Sequence, residues 1–503
     1  MALLLRKTLA KNSLINLSGF VLPLLVGLLT IPLIVSGFGI ERFGLLTLAW
    51  AIVGYFSLFD MGIGRAITQL IAERIGKTSD RDIAKLAWTG LLMMSIFAVI
   101  GATITASVTP WFIASVLNVA EPLKDEATGA FIMLTLAIPA VVLSAGFAGV
   151  LAAIQRFDLI NALRIPMGMM IFLVPLAILP YSKSTVHVCA ALMVIRFLFL
   201  AFHAAACFYA FPPLRTHVAI DPSVVKKLLG FGGWMTATNF IGPLMVYMDR
   251  FVIGAVLSIS AVAYYVTPYE MVIRLWAIPA AIVTVLFPAF ATAKQSNPSH
   301  STTLYSTGGR AILVVLAPIV LVLVVFAYEC LSFWLGDDFA QKSTIVLQWL
   351  VIGVYLNSYA QVPFAFIQGY GRADITAKLH MLELPIYLAL LFWLLNVLGI
   401  NGAAIAWLIR AALDAVLLTL MAQRLNKDIT LASKQIFPVL VAPLVLFAIG
   451  MMLGTMSAKL FFAGFGVLAL VVVVHCFAVT SEEKKIIHDA VYRFFRAQNS
   501  KNT

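Results

Sequence analysis

Ala311-Ile-Leu-Val-Val-Leu-Ala-Pro-Ile-Val-Leu-Val-Leu-Val-Val-Phe-Ala327 runs for seventeen residues without a charge. It is the middle of an apolar stretch from 310 to 335, and about 20 such residues cross the hydrocarbon core of a bilayer as a helix. Working outward, similar runs recur at 13–37, 40–60, 84–108, 127–153, 159–180, 185–211, 232–257 and 260–290, and again at 344–367, 376–398, 401–423, 435–454 and 459–479. In lipid only helices and closed barrels satisfy their own backbone, and barrel strands read as short alternating segments. These runs are long and continuous. The expected fold class is therefore an all-α polytopic membrane protein of about fourteen transmembrane helices.

Composition leaves little room for a soluble domain: 62% of the chain is hydrophobic and 11% charged. No loop is long enough to fold by itself. The net charge of +12 could suggest nucleic acid, but its placement points to the membrane. With the N-terminus in the cytoplasm, cytoplasmic segments hold about 25 of the 34 Lys and Arg residues. Arg42, Lys124, Lys183, Lys342 and Lys459 fall on the opposite side, and Arg196, Arg250, Arg274 and Arg410 fall well inside spans. Basic residues accumulate on the cytoplasmic side of membrane proteins, so both termini are expected inside and no nucleic-acid partner is expected. Cys189, Cys207, Cys330 and Cys476 form no CxxC pair and are expected as buried free thiols. The first apolar run is too long for a signal-peptide core and is expected to stay as the first span.

A weak repeat at an offset of about 220 residues aligns Pro23 with Pro243. Each half starts inside after a basic segment, Arg6, Lys7 and Lys11 in the first and Lys226 and Lys227 in the second. The expected organisation is two six-helix lobes in parallel pseudo-repeat, 1–220 (spans 1–6) and 221–425 (spans 7–12). Spans 13 and 14 follow at 426–480, then an amphipathic cytoplasmic tail at 481–503. Parallel repeats about an axis along the membrane normal are a standard transporter plan, with the substrate site between lobes near the midplane.

Charges inside lipid are expensive and mark function. This chain places Arg196, Asp249, Arg250, Glu270, Arg274, Glu383, Arg410 and Asp414 within spans. Glu270 with Arg274 and Arg410 with Asp414 have i,i+4 spacing and can each neutralise themselves on one helix face. Span 6 offers Arg196 no acid, so Arg196 needs water, an acid from another span, or an anionic substrate. Arg196, Arg250, Arg274 and Arg410 are candidate cavity residues for an anion, since the guanidinium suits phosphate. Asn357 and Tyr359 join them, because amides and tyrosines suit sugar hydroxyls and sugar faces. Glu270, Glu383, Asp414, Asp249 and His203 are ion-coupling candidates; interhelical pairing is the plainer role for each. At the inner end of span 2, Asp60-Met-Gly-Ile-Gly-Arg65 puts two glycines between opposite charges. Asp60, Gly62, Gly64 and Arg65 are gate candidates, because glycines permit a bend.

Tyr55-Phe-Ser-Leu-Phe-Asp60-Met-Gly-Ile-Gly-Arg65-Ala66, preceded by Phe43-Gly-Leu-Leu46, resembles the first-lobe signature of the polysaccharide transporter family, the O-antigen (Wzx-type) flippases. Asp249-Arg-Phe-Val-Ile-Gly254 and Ala263-Tyr-Tyr265 resemble the start of the second lobe in the same family. The wider superfamily also contains multidrug extruders and lipid II flippases. The resemblance implies a two-lobed helical transporter of the bacterial inner membrane. Its implied substrate is an undecaprenyl-diphosphate-linked oligosaccharide moved from the cytoplasmic to the periplasmic leaflet. No G-x-x-x-x-G-K-[ST] run is present, so no nucleotide motif supplies the energy; an H+ or Na+ gradient, or the substrate gradient, is expected to. No cofactor and no metal are expected. Expected partners are the lipid-linked oligosaccharide, membrane lipids and a polysaccharide polymerase or chain-length protein. The alternatives are a multidrug or cation antiporter, a lipid II flippase, and a membrane-embedded polymerase or glycosyltransferase; for the last, the outer loops are short.

Overall fold

The computed structural model describes residues 22–296 and 298–478. Among them every regular element is a helix, as the bilayer requires of a chain with so little polar surface. In order they are α1 (Leu22–Phe38), α2 (Ile40–Tyr55), α3 (Ile63–Arg74), α4 (Asp80–Trp111), α5 (Lys124–Thr135), α6 (Ile138–Ala153), α7 (Phe157–Ile178) and α8 (Thr185–Ala210). A single turn, α9 (Pro213–Thr216), leads to α10 (Pro222–Val256), α11 (Ile259–Val272), α12 (Ala277–Ser296), α13 (Pro298–Val325) and α14 (Ala327–Leu335). The last five are α15 (Asp337–Gly369), α16 (Ala373–Leu398), α17 (Ile400–Leu425), α18 (Ile429–Met451) and α19 (Met456–Val473). Within the described residues, each of the fourteen apolar runs falls on one of these helices or on two consecutive ones. Eleven stretches, of 22 to 37 residues, are long and apolar enough to cross a membrane. The protein is a multi-pass membrane protein with about fourteen spans. The C-terminal tail and Asn12, Asn16 and Ser18 lie outside the described residues.

Helix ends follow local chemistry. The Ser79 hydroxyl accepts the Asp82 N–H at the start of α4, and Ser184, Asp221 and Thr455 cap α8, α10 and α19 in the same way. Side-chain caps of this kind satisfy donors that a helix leaves unpaired.

The chain divides into two compact units, Met1–Val266 and Thr267–Thr503. In the first, α6 packs against α3, α4 and α8, and α8 also packs against α5 and α7. Small residues let α3 approach α6 closely. A Cβ on Gly149 would lie 2.7 Å from the Gly64 carbonyl oxygen, and the Thr68 hydroxyl sits 3.0 Å from the carbonyls of both glycines. Outside the apolar layer, Arg42 grips Glu126 through two nitrogens at 3.0 Å, and Glu126 also accepts the Thr185 N–H. That single carboxylate ties the starts of α2, α5 and α8. In the second unit α15 is the hub, lying along α17 and packing against α12, α13 and α14. Its span is 78% buried, so its sequence shows almost no amphipathic face.

Three expectations change. The segment after Asp60, left between the runs at 40–60 and 84–108, contains α3, whose Ile63, Ala66, Ile67 and Ile71 are buried. Span 8 is two helices joined by a 3-10 turn, Ile273–Trp276, instead of one continuous helix. Of the four free cysteines, Cys189 and Cys207 are buried, Cys330 is half-buried and Cys476 is exposed.

Candidate functional site

In the second unit α16 places His380 and Glu383 on the face that meets α17, three residues apart. From α17 comes Asp414. The imidazole and the two carboxylates bring their ligand atoms within 4.8 Å of one another. His380 Nε2 lies 3.5 Å from Asp414 Oδ1, and the His380 ring stacks on Phe364 of α15 at 5.8 Å with a 10° interplanar angle. Glu383 is 1% exposed, and neither of its carboxyl oxygens meets a hydrogen-bond donor. A buried carboxylate without a partner costs several kcal/mol, so this cluster needs a balancing charge or a proton.

Arg410 does not provide the bond expected of it. The Arg410–Asp414 ion pair is absent among the described residues. The guanidinium instead lies over the rings of Tyr387 at 5.4 Å and Trp407 at 5.7 Å. A cation over an aromatic face is a favourable alternative in lipid, and it frees Asp414 for His380. The other expected pair does form: Arg274, in the 3-10 turn, reaches Glu270 at 3.3 Å. Both side chains are about a third exposed, at 37% and 34%.

Asp249 and Arg250 are 1% and 2% exposed. Asp249 accepts the Tyr265 hydroxyl at 2.7 Å and the Arg250 backbone N–H at 2.8 Å. Arg250 lies over the Tyr247 ring at 5.0 Å. Tyr247 in turn packs on Tyr55 at 5.6 Å, an approach made possible by Gly54, where a Cβ would come within 2.9 Å of the Tyr247 ring. Tyr55 borders a cavity of about 290 Å³ walled by Phe56, Phe59, Phe112, Phe131 and Phe251.

Arg196 stands on the packed side of α8, in register with buried Leu192, Phe199 and His203. It makes no hydrogen bond or ion pair among the described residues. His203 is satisfied locally, its Nδ1 lying 2.8 Å from the Phe199 carbonyl. Tyr359 is buried in a chain of hydroxyls, 3.3 Å from Tyr305 and 3.2 Å from Thr419, which is interhelical bonding between α13, α15 and α17. Asn357 is half-buried between fully buried neighbours.

The gate candidates sit at a true break. After a 3-10 turn, Phe56–Asp60, both Met61 (φ 51°) and Gly62 (φ 68°) are left-handed before α3 resumes. Asp60 accepts the Gly62 N–H at 2.6 Å and holds the turn. Gly64 follows on α3, where a Cβ would stand 3.3 Å from the Asp60 carboxylate.

The residue the sequence reading missed is His380. The signal was available: His380, Glu383 and Tyr387 share one face of α16 by i, i+3, i+7 spacing, as Asp414, Arg410 and Trp407 do on α17.

Residues 38–344 match the model of a family described as "Polysaccharide biosynthesis protein". A Shigella flexneri protein named "Putative O-antigen transporter" is 30% identical over 414 residues, covering 81% of this chain and 96% of that protein. The chain belongs to the polysaccharide biosynthesis protein family. This member shares its fold with solved transporters. The lipid II flippase MurJ in an inward closed conformation superposes with a TM-score of 0.72 over 92% of this chain and 98% of that one, at 12% identity. An inward-facing multidrug resistance MATE family transporter of the MOP superfamily gives 0.69 over 84% and 96%, at 14% identity. In this polysaccharide biosynthesis protein the matched region contains the span 2 break, Arg196 and the Asp249–Tyr265 contact. It stops short of His380, Glu383 and Asp414.

Proposed function

We propose that the protein is a flippase. It moves an undecaprenyl-diphosphate-linked oligosaccharide, an O-antigen or other polysaccharide repeat unit, from the cytoplasmic to the periplasmic leaflet of the bacterial inner membrane. Transport is by alternating access, with both termini cytoplasmic and lobes at 1–220 and 221–425. The observation that carries this reading is Arg196: in a member of this family, an arginine with no anionic partner among the described residues stands on the packed face of a membrane helix. A diphosphate supplies the missing charge, and the planar fork suits it. Arg250 beside an aromatic cavity supports the same reading, since ring faces suit sugars and isoprenoid chains alike. An ion gradient drives the cycle, with the embedded acids as coupling candidates. A polymerase or chain-length protein would receive the product.

Arg196→Ala should abolish glycan export in cells that depend on this protein, while the variant still inserts and accumulates. Arg196→Lys should keep part of the activity, because charge survives without the fork. Export at the wild-type level by the Ala variant would remove Arg196 from the site.

A further inference from the structure

Most embedded acids among the described residues already have partners. Asp249 is held by Tyr265, and Glu270 by Arg274. Glu383 is different: it is wholly buried, and both its oxygens lack a donor. Asp414 Oδ1 is also buried without a hydrogen bond, at an ionic distance of 3.5 Å from His380 Nε2. The groups facing Glu383 are Asp414 and Arg410 from α17 and His380 from its own helix. From α15 comes the Phe364 ring that stacks on His380.

The charge count decides what the cluster holds. Two adjacent carboxylates in a dry site cannot both stay ionised without compensation. Arg410, spread over two rings, balances one of them. One negative charge remains, which a single monovalent cation neutralises. A hard metal cation is held by a shell of oxygens, whereas this cluster offers two carboxylates and an imidazole nitrogen. A proton needs one oxygen and a route to water. The exposures provide that route: side chains are 29% exposed at His380 and 7% at Asp414, and Glu383 is 1% exposed.

We propose that His380, Asp414 and Glu383 form a one-proton site within the second unit, with His380 relaying the proton between water and the carboxyl pair. On loading, His380 Nδ1 takes a proton from water while Nε2 gives its own to Asp414. The imidazole stays neutral, and the new carboxyl proton is shared with Glu383. On release, Nε2 takes the proton back, Nδ1 gives one to water, and the starting tautomer returns. This site rests on the reading of the protein as an ion-coupled transporter, and it names the coupling ion.

Difference infrared spectroscopy tests it on the full chain in lipid, with no substrate present. Stepping the buffer from alkaline to acid should raise a protonated-carboxyl band in the wild type. Glu383→Gln and Asp414→Asn, both near-isosteric, should each remove that band. His380→Gln should keep the band but slow its appearance by about tenfold or more, the loss expected when a proton relay is removed. A band unchanged in both carboxyl variants would overturn the proposal. So would a band erased by sodium at constant pH, or an unchanged rate in His380→Gln. A band that behaves as expected in a protein that moves no lipid-linked glycan would keep the site and reject the flippase reading instead.

Discussion

Arg410 and Asp414 are four residues apart, the spacing at which a helix pairs its own charges, yet they do not pair. Glu270 and Arg274 have the same spacing and do pair, at 3.3 Å. The difference lies in what each helix packs against. Arg410 has two aromatic faces within 6 Å, and Asp414 has a histidine from the next helix. Sequence spacing shows which residues can meet along one helix but not which neighbour competes for them, so one pair was legible and the other was not. The Glu270–Arg274 contact is about a third exposed on both sides, so its strength in detergent is expected to match that of other part-exposed i,i+4 helix pairs. A double-mutant cycle of Glu270→Gln and Arg274→Gln, read by thermal unfolding in detergent, should give a coupling of about 0.3–0.5 kcal/mol. A coupling above about 2 kcal/mol would mean that the pair is buried when the protein is in lipid.

At the scale of elements, the apolar runs located every span because a bilayer tolerates few alternatives. Breaks within spans were harder to see. The turn at Met61–Gly62 depends on a left-handed backbone that glycine tolerates and most other residues resist. The glycines marked it, but α3 beyond it carries Arg65, Gln69, Glu73 and Arg74, which keep it out of the apolar runs. The buried stripe Ile63, Ala66, Ile67 and Ile71 is the helical signal under that polarity. Structure also changes how the gate can be tested. Gly62→Ala forces a Cβ into a left-handed conformation at a cost of about 1–2 kcal/mol, so it weakens folding whether or not the segment is a gate. Asp60→Asn is the cleaner variant, because its side-chain carbonyl can still accept the Gly62 N–H. If the carboxylate takes part in gating, transport in Asp60→Asn should fall several-fold at unchanged thermal stability. Wild-type transport would leave Asp60 as a turn-holding residue only.

For the whole molecule, span count and fold class were legible in the sequence, and the helices of the structure, in a fold shared with solved transporters, bear them out. The candidate site was only partly legible. Glu383 and Asp414 were visible as charges in apolar runs, but His380 sits near the start of its run and joins them only through the packing of α16 on α17. Tyr359 is a candidate for sugar contact by its type and is buried in a hydroxyl chain, a placement that a single sequence does not reveal because it does not show which face of a span is covered. Among the described residues, the first unit holds an arginine without an ion pair, Arg196, and the second holds an acid pair, Glu383 and Asp414, faced by a single guanidinium, Arg410. This chain flips a lipid-linked oligosaccharide. The most direct test of this activity is the purified protein in liposomes containing a fluorescent undecaprenyl-diphosphate oligosaccharide, with a membrane-impermeant quencher reporting which leaflet holds the label. Flippase activity requires that the protein speed exchange of the label between leaflets, and that Arg196→Ala remove the effect. No acceleration by the folded protein, together with transport of a cationic dye by the same liposomes, would contradict it and mark the chain as a cation antiporter.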